Sequence, residues 1–354
     1  MQEQFILTAD IGGTNTHIGI FSNNTNNYLQ LILQFDYKTK EIKNTANFAA
    51  IIKQKIKEQY NQEKLSFSTI VIAAAGPIDH KKQEVLLTNH WLTINAKKLK
   101  NLLGTSKIYL LNDFEALGYS INLLQKEQER KKQKKKQTSI VQIKKGIQIE
   151  HKTIALLGAG TGLGKSIIIY NKQTKTYIPL ASEGGHADFA VQNYFELQLA
   201  DFIKKQKKQQ LLCCEDLLSG KGLVNIYYFL CSKYKYILKP EQIAVKKEID
   251  NADDKPAAIS KNKKTDFLCK ETMKLFSKYY AITVRNFALE TLPHSGIYIA
   301  GGIAQKNNEL LNKDFITTFE TQDTYKKLLR NIPIYLITNP TASLYGCAWY
   351  AIRQ

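Results

Sequence analysis

No apolar run in this chain approaches the roughly 18 to 20 residues a membrane-spanning helix needs, so a membrane location is not expected. Cysteine is sparse. Five are present among 354 residues (Cys213, Cys214, Cys231, Cys269, Cys347), with no C-x-x-C pair and no framework spacing. That argues against a secreted disulfide scaffold and for reduced thiols in a cytoplasmic protein. Met1-Gln-Glu-Gln leads directly into an apolar run without a basic segment or cleavage site, so no secretion signal is expected and Asn23-Asn24-Thr25 reads as a plain turn rather than a glycosylation site. Acidic residues are the minority, 31 against 50 Lys and Arg, for a net charge of +19. Lys126 to Gln137 holds +5 of this and Lys204 to Lys208 +4, leaving +10 spread over the rest. Neither run has the aromatic interleaving that base stacking uses, so no nucleic-acid partner is expected. The general weight of Lys, Asn, Gln, Ile and Tyr reads partly as codon bias.

The chain does have enough apolar substance for a large core, 44% of its residues, and a length that fits two domains. It also has an unusual concentration of glycine. Leu157-Gly-Ala-Gly-Thr-Gly-Leu-Gly-Lys-Ser166 holds four glycines within seven positions, and Ala159 to Ser166 loosely fits the phosphate-loop pattern. A nucleotide-binding phosphate loop must run into a helix whose N-terminal N–H groups hold the phosphates. Here Ile167-Ile-Ile-Tyr-Asn171 follows, which is strand chemistry and a turn. The stretch therefore reads as strand, turn, strand, and its Lys165 is not expected to reach a nucleotide.

The same module stands near the N-terminus. Phe5 to Ala9 is a strand, Asp10-Ile-Gly-Gly-Thr-Asn-Thr16 a glycine turn, and His17 to Phe21 a returning strand. A third glycine turn, Ala300-Gly301-Gly302, follows the apolar Ile297 to Ile299. Each turn can offer backbone N–H groups, and the first two a threonine hydroxyl, to phosphate. Together they outline a nucleotide cleft between two domains.

Around these modules the pattern predicts strands at Leu29 to Phe35, Thr69 to Ala75, Ile108 to Leu111, Thr153 to Leu157 and Ile334 to Ile337. Helices are predicted from Asn44 or Thr45 to Tyr60, from Phe114 to Leu124, over Leu223 to Leu230 and Asp266 to Leu289, and from Ala342 to Ile352. Asp266 to Leu289 reads as a long amphipathic helix that should turn Phe267, Met273, Phe276, Val284 and Phe287 inward. Lys126 to Gln137 lacks apolar periodicity and reads as a solvated loop, frayed helix end or insertion.

Taken together, these residues resemble the bacterial glucokinases, within the hexokinase and actin-like ATPase superfamily. Asp10-Ile-Gly-Gly-Thr-Asn15 resembles the family's first phosphate motif and Leu157-Gly-Ala-Gly-Thr-Gly-Leu-Gly164 its second. Ala74-Ala-Gly-Pro77, Thr88-Asn-His-Trp91, Leu111-Asn-Asp-Phe114, Ser182-Glu-Gly-Gly-His-Ala-Asp-Phe189, Leu218-Ser-Gly-Lys-Gly-Leu-Val-Asn225 and Ile299-Ala-Gly-Gly-Ile303 follow in the family's order. Asn339-Pro-Thr-Ala-Ser343 lacks a glycine the family often has, and the cysteine-rich zinc motif of related repressors is absent, so His186 is not expected to bind metal.

The resemblance implies a two-domain α/β fold of the actin-like (ribonuclease H-like) sugar-kinase type, with an interdomain cleft that closes on the sugar. It places a small domain at 1–123 plus 338–354 and a large one at 124–337. The implied activity is phosphorylation of glucose by ATP with Mg²⁺, the first step of glycolysis, in a cytoplasmic homodimer. Another hexose or amino sugar as substrate, another phosphoryl donor, or a catalytically silent sugar-binding regulator stay open as alternatives. Asp113 occupies the family's catalytic position; an aspartate of ordinary pKa, about 3.9, is ionised at pH 7 and able to take a hydroxyl proton. The competing reading is that it caps the helix starting at Phe114. Asn112, Asp113, Glu183, His186 and Glu215 form the implied sugar set. His186 could otherwise be an ordinary histidine, and Glu215, beside Asp216, a first-turn helix carboxylate. Asp10, Gly12, Gly13, Thr14, Gly160, Thr161, Gly162, Gly301 and Gly302 form the nucleotide set. Asp10 is expected to hold Mg²⁺ through water, Thr14 and Thr161 to meet phosphate oxygens, and Gly301 and Gly302 to line the adenosine.

Overall fold

The computed structural model describes residues 4–23, 29–60, 65–79, 81–87, 92–105, 107–133 and 139–354. The Thr88 to Trp91 motif, Asn24-Thr25 and the end of the lysine run at 134–137 lie outside them. The chain divides into two compact units, one of Met1–Ser139, Ile168–Ala181 and Asn339–Gln354, the other of Ile140–Ile167 and Ser182–Thr338.

The first unit is built on a five-stranded sheet. Its strands are β1 (Gln4–Ile11), β2 (Asn15–Asn23), β3 (Leu29–Lys38), β4 (Phe67–Ala74) and, after three short strands β5 (Ile78–Asp79), β6 (Glu84–Leu86) and β7 (Thr93–Asn95) that form their own sheet, β8 (Ile108–Asn112). The order is β3-β2-β1-β4-β8, with β1 antiparallel to β2 and parallel to β4. Alternate residues serve opposite faces. Leu7, Ala9, Ile11, Ile18, Ile20, Ile70 and Ile72 pack with Phe48, Ile52 and Ile56 of α1 (Thr45–Tyr60) and Leu99 of α2 (Ala96–Leu103). Ile6, Phe21, Val71, Ala73 and Leu111 pack with Ala116 of α3 (Asp113–Gln133) and with Leu344, Cys347 and Ala348 of the C-terminal helix Ala342–Ala351. Both faces are covered, which is why these strands are almost continuously apolar. Asn44 Oδ1 accepts from the N–H of Asn47 (2.9 Å) at the start of α1, so of the two candidate caps Asn44 is the one used.

In the second unit the central sheet contains β9 (Ile140–Lys144), β10 (Ile154–Ala159) and the start of β11 (Leu163–Asn171), which leads through a turn to β12 (Thr176–Ser182). Further strands are β13 (Ile297–Ala300) and β14 (Ile334–Ile337). β11 neighbours β10, β13 runs parallel to both β10 and β14, and β9 closes the edge antiparallel to β14. The helices α4 (Tyr194–Lys207), α5 (Gly220–Lys233), α6 (Pro240–Asn251), α7 (Lys255–Asn262) and α8 (Phe267–Thr291) cover it. Met273, Phe276, Val284 and Phe287 of α8 are buried as expected, but Phe267 is 48% exposed. It is the first helical residue after the Asp266 cap and lies edge-on against Tyr234 instead of entering the core.

α3 also departs from expectation. It continues past Leu124 to Gln133, so the first part of the lysine run is helix rather than loop. Lys, Gln, Glu and Arg are good helix formers without any apolar stripe. Lys126 itself lies over the Trp349 ring, 5.1 Å from its centroid.

Candidate active site

The first glycine turn closes the β1–β2 hairpin, whose last cross-strand pairs are Asp10 with His17 and Ile11 with Thr16. Gly12 N–H donates to Asn15 O (3.0 Å). Thr39, just past β3, holds the turn from the side: its hydroxyl donates to Gly12 O (2.7 Å), its N–H to Thr14 O (3.0 Å), and its Oγ1 lies 3.0 Å from Thr16 Oγ1. Asp10 accepts a hydrogen bond from the Ser343 hydroxyl. Burial pushes the Asp10 carboxyl above its ordinary pKa, with the Ser343 bond and the neighbouring His17 working against that rise. Ser343 is held by a turn that needs no glycine: the Thr341 N–H and hydroxyl both donate to Asn339 Oδ1 (3.0 Å each). Asparagine closing such a turn through its own side chain is ordinary Asx-turn chemistry.

Asn112 and Asp113 sit where β8 passes into α3. Asn112 Oδ1 accepts from the N–H groups of Phe114 (2.9 Å) and Glu115 (3.3 Å), so Asn112 is the cap. Asp113 is the first residue of the helix, with Oδ1 accepting from the Phe114 N–H (2.9 Å). The capping role open to Asp113 in the sequence is therefore largely taken by its neighbour.

The second glycine turn, Gly160-Thr161-Gly162, joins β10 to β11 and is closed by Gly160 N–H donating to Gly162 O (2.8 Å). The strand after it removes the helix a phosphate loop would require. Lys165 is buried at 6% exposure, its ammonium 5.3 Å from the Phe287 ring centroid, which suits a packed cation and not a nucleotide ligand. Gly160 O accepts from Gly220 N–H (2.8 Å) at the start of α5, whose cap is Ser219. Gly301 has φ +88°, and a Cβ there would overlap Ala159 O, so glycine is required on both counts. By contrast a Cβ on Gly160 or Gly302 would meet nothing within 4 Å. Internal packing therefore does not require glycine at those two positions.

Glu183 and His186 are exposed on a short helical turn, Gly184–His186, closed by His186 N–H donating to Glu183 O (2.9 Å). Glu215 lies in the first turn of a second short helix, Cys214–Asp216, which precedes α5 and is separate from it. The buried Asp216 anchors that turn, accepting from Lys207, from Gln209 Nε2 (2.8 Å) and from Cys213 N–H (3.0 Å). Burial works to raise its pKa, but these partners hold it below the ordinary value. Lys207, part of the Lys204 to Lys208 run, thus has a structural task. Glu215 Oε2 accepts from Leu163 N–H (2.8 Å), tying this turn to β11.

The structure therefore places Asp10, Gly12 to Thr14, Asn112 and Asp113 in the first unit. It gathers Gly160 to Gly162, Glu183, His186, Glu215, Gly301 and Gly302 in the second. There the glycine turns lie at the carboxyl ends of the neighbouring parallel strands β10 and β13, the edge of such sheets where ligands bind. Three contributors were not singled out in the sequence: Thr39, Ser343 as the Asp10 partner, and the Leu163 N–H. Among the described residues no group of three or more His, Cys, Asp or Glu could hold a metal by itself.

The sequence model of the glucokinase family matches residues 7–354. A glucokinase of Nostoc punctiforme is 34% identical over 360 aligned positions, covering 98% of this chain and 99% of its own. Among solved structures, a glucokinase from an Antarctic psychrotroph superposes with a TM-score of 0.75 at 23% identity, with full coverage of both chains. A glucokinase of the ROK family from Streptomyces griseus, solved in complex with glucose and AMPPNP, gives 0.62 at 19% identity, again over both full chains. The fold is the two-domain actin-like sugar-kinase fold, and the chain belongs to the glucokinase family.

Proposed function

We propose that this protein is a glucokinase that transfers the γ-phosphoryl group of ATP to glucose, giving glucose 6-phosphate and ADP. The observation that carries this reading is the match to a glucokinase at 34% identity over essentially the whole of both chains. The Streptomyces griseus structure, which holds glucose and AMPPNP, supports the choice of both substrates.

Phosphoryl transfer asks the protein mainly for positioning and charge stabilisation, with a carboxylate to accept the attacking hydroxyl's proton. We assign that role to Asp113. As the glucose 6-oxygen attacks the γ-phosphorus, its proton passes to the Asp113 carboxylate and the bond to the ADP oxygen breaks. Asn112 spends its side-chain carbonyl on the α3 cap, which leaves its NH₂ group as the donor toward the sugar. Glu183, His186 and Glu215 complete the sugar contacts, because an unpaired buried hydroxyl or carboxylate would cost about 1–3 kcal/mol. The glycine turns and the Thr14 and Thr161 hydroxyls bind the phosphates. Gly302, with open space in place of a Cβ, lines the adenosine beside Gly301.

Asp10 fits Mg²⁺. Its carboxylate is disfavoured by burial, which the Ser343 hydroxyl and the neighbouring His17 offset only in part, so a further cation would be welcome. With no three-residue cage among the described residues, the ion would keep its waters and bind through this single carboxylate, as Mg²⁺ commonly does. When bound, Mg²⁺ neutralises charge on the phosphates. We place the reaction in the cytoplasm, as the entry step of glycolysis, in a homodimer.

The test is a coupled ADP assay over a panel of hexoses and phosphoryl donors, run with wild type and Asp113→Asn. Glucose and ATP should be preferred. The variant should lose turnover by about 100- to 10,000-fold while binding glucose normally. Near-normal turnover in the variant would remove Asp113 as the base, and a different preferred sugar would reassign the substrate.

A further inference from the structure

Leu163, the residue after the second glycine turn, reaches both the turn that carries Glu215 and the turn that carries Glu183 and His186. Its N–H donates to Glu215 Oε2 (2.8 Å). Its carbonyl lies so close to Gly185 that a Cβ there would overlap the oxygen, and Gly185 is the centre of the turn that carries Glu183 and His186. Gly162 presses on the same carboxylate: a Cβ on it would stand 2.5 Å from Glu215 Oε2. Gly160, two residues earlier in the same turn, faces open space. The two carbohydrate-side turns are also tied to each other, with Cys214 N–H donating to Ala187 O (2.9 Å).

We infer that Glu215 is a positioning residue for the nucleotide as well as a ligand for the sugar: Oε2 holds the Gly160–Leu163 turn while Oε1 is presented to glucose. One rigid carboxylate cannot shift for one ligand without shifting for the other. Glucose that fixes Glu215 thereby fixes the Leu163 N–H and the turn before it, and a phosphate that orders the turn orders Glu215. Such coupling is reciprocal by thermodynamic necessity. The inference rests on the reading above that Glu215 meets the sugar, and goes beyond it by making the phosphate turn and the sugar contacts one mechanical unit.

The test uses two binding measurements made without turnover. Glucose is titrated calorimetrically into nucleotide-free wild type and Gly162→Ala. A non-hydrolysable ATP analogue is titrated into sugar-free wild type, Glu215→Ala and Glu215→Gln. Gly162→Ala, a change in the nucleotide turn, should weaken glucose binding on the order of 10-fold. Glu215→Ala, a change in the sugar set, should weaken the analogue by a similar factor. Glu215→Gln should restore much of that loss, because its amide oxygen can still accept from Leu163 N–H.

Wild type that takes up no glucose would overturn the assignment of the sugar. Normal glucose binding by wild type and Gly162→Ala alike, or unchanged analogue binding by Glu215→Ala, would overturn the coupling. If Gly162→Ala lacks a cooperative thermal transition, the Glu215 arm decides alone.

Discussion

The first glycine turn is held from the side by Thr39, whose hydroxyl donates to Gly12 O and whose N–H donates to Thr14 O, whereas the second is gripped by the Glu215 carboxylate through the Leu163 N–H. Both turns are Gly/Thr hairpins. Their supports differ because their neighbours differ. The β1–β2 hairpin lies beside β3, so its support comes from Thr39, the residue just past the end of that strand. The β10–β11 hairpin lies beside the Cys214–Asp216 turn and the start of α5, so its support comes from Glu215 and the Gly220 N–H. Similar turn chemistry is thus supported in two ways, by a neutral threonine at the first turn and by a carboxylate at the second.

Three substitutions probe this contrast. Asp10→Asn should have the largest effect, lowering turnover by about 100-fold or more through loss of the charge beside the first turn. Its melting temperature should not fall, since a carboxylate that burial disfavours has been replaced by a neutral group of the same shape. Retained turnover in a steady-state assay, or a marked drop in thermal stability, would contradict that account. Thr39→Val comes next. It strips the hydroxyl from Gly12 O and should raise the ATP KM on the order of 10-fold, the equivalent of about 1.4 kcal/mol. Its glucose affinity should stay at the wild-type value, unlike that of Gly162→Ala. Equal effects of the two on glucose would erase the distinction between the turns. Lys165→Met should be the mildest, within about 2-fold in ATP KM, because the methionine keeps the apolar stem against Phe287. A collapse of ATP use in that variant would reinstate the phosphate-loop role that the strand Leu163–Asn171 argues against.

The hairpin nature of both turns was legible because it depends on local chemistry: Ile167 to Tyr170 can only propagate a strand. The choice between Asn112 and Asp113 as cap was not, since both are good caps and a single residue's shift in the helix start decides between them. Thr39 and Ser343 were invisible for a different reason. Their partners lie 27 and 333 residues away, and nothing in a threonine or serine announces such a contact. Phe267 failed because it shares a helix face with Lys270, Glu271 and Lys274, while the adjacent Leu268 and Cys269 take the buried positions of that turn. For Lys126 to Gln137 a loop and a helix end both stayed open, and α3 running on to Gln133 takes the helix reading for its first part, because the absence of an apolar stripe removes burial, not helix propensity.

The Ser343–Asp10 bond joins β1 to a helix 333 residues further along the chain, and that helix also reaches β1 through Cys347 Sγ and Ala9 O, 338 residues apart. On the ribosome, β1 must therefore wait with part of one face of its sheet uncovered until residues 339–354 emerge. At about 5–20 residues per second that wait lasts on the order of tens of seconds. The aspartate beside the first glycine turn thus acquires its partner long after the turn itself is made, so a nascent chain stalled before Ser343 would present the turn without that partner.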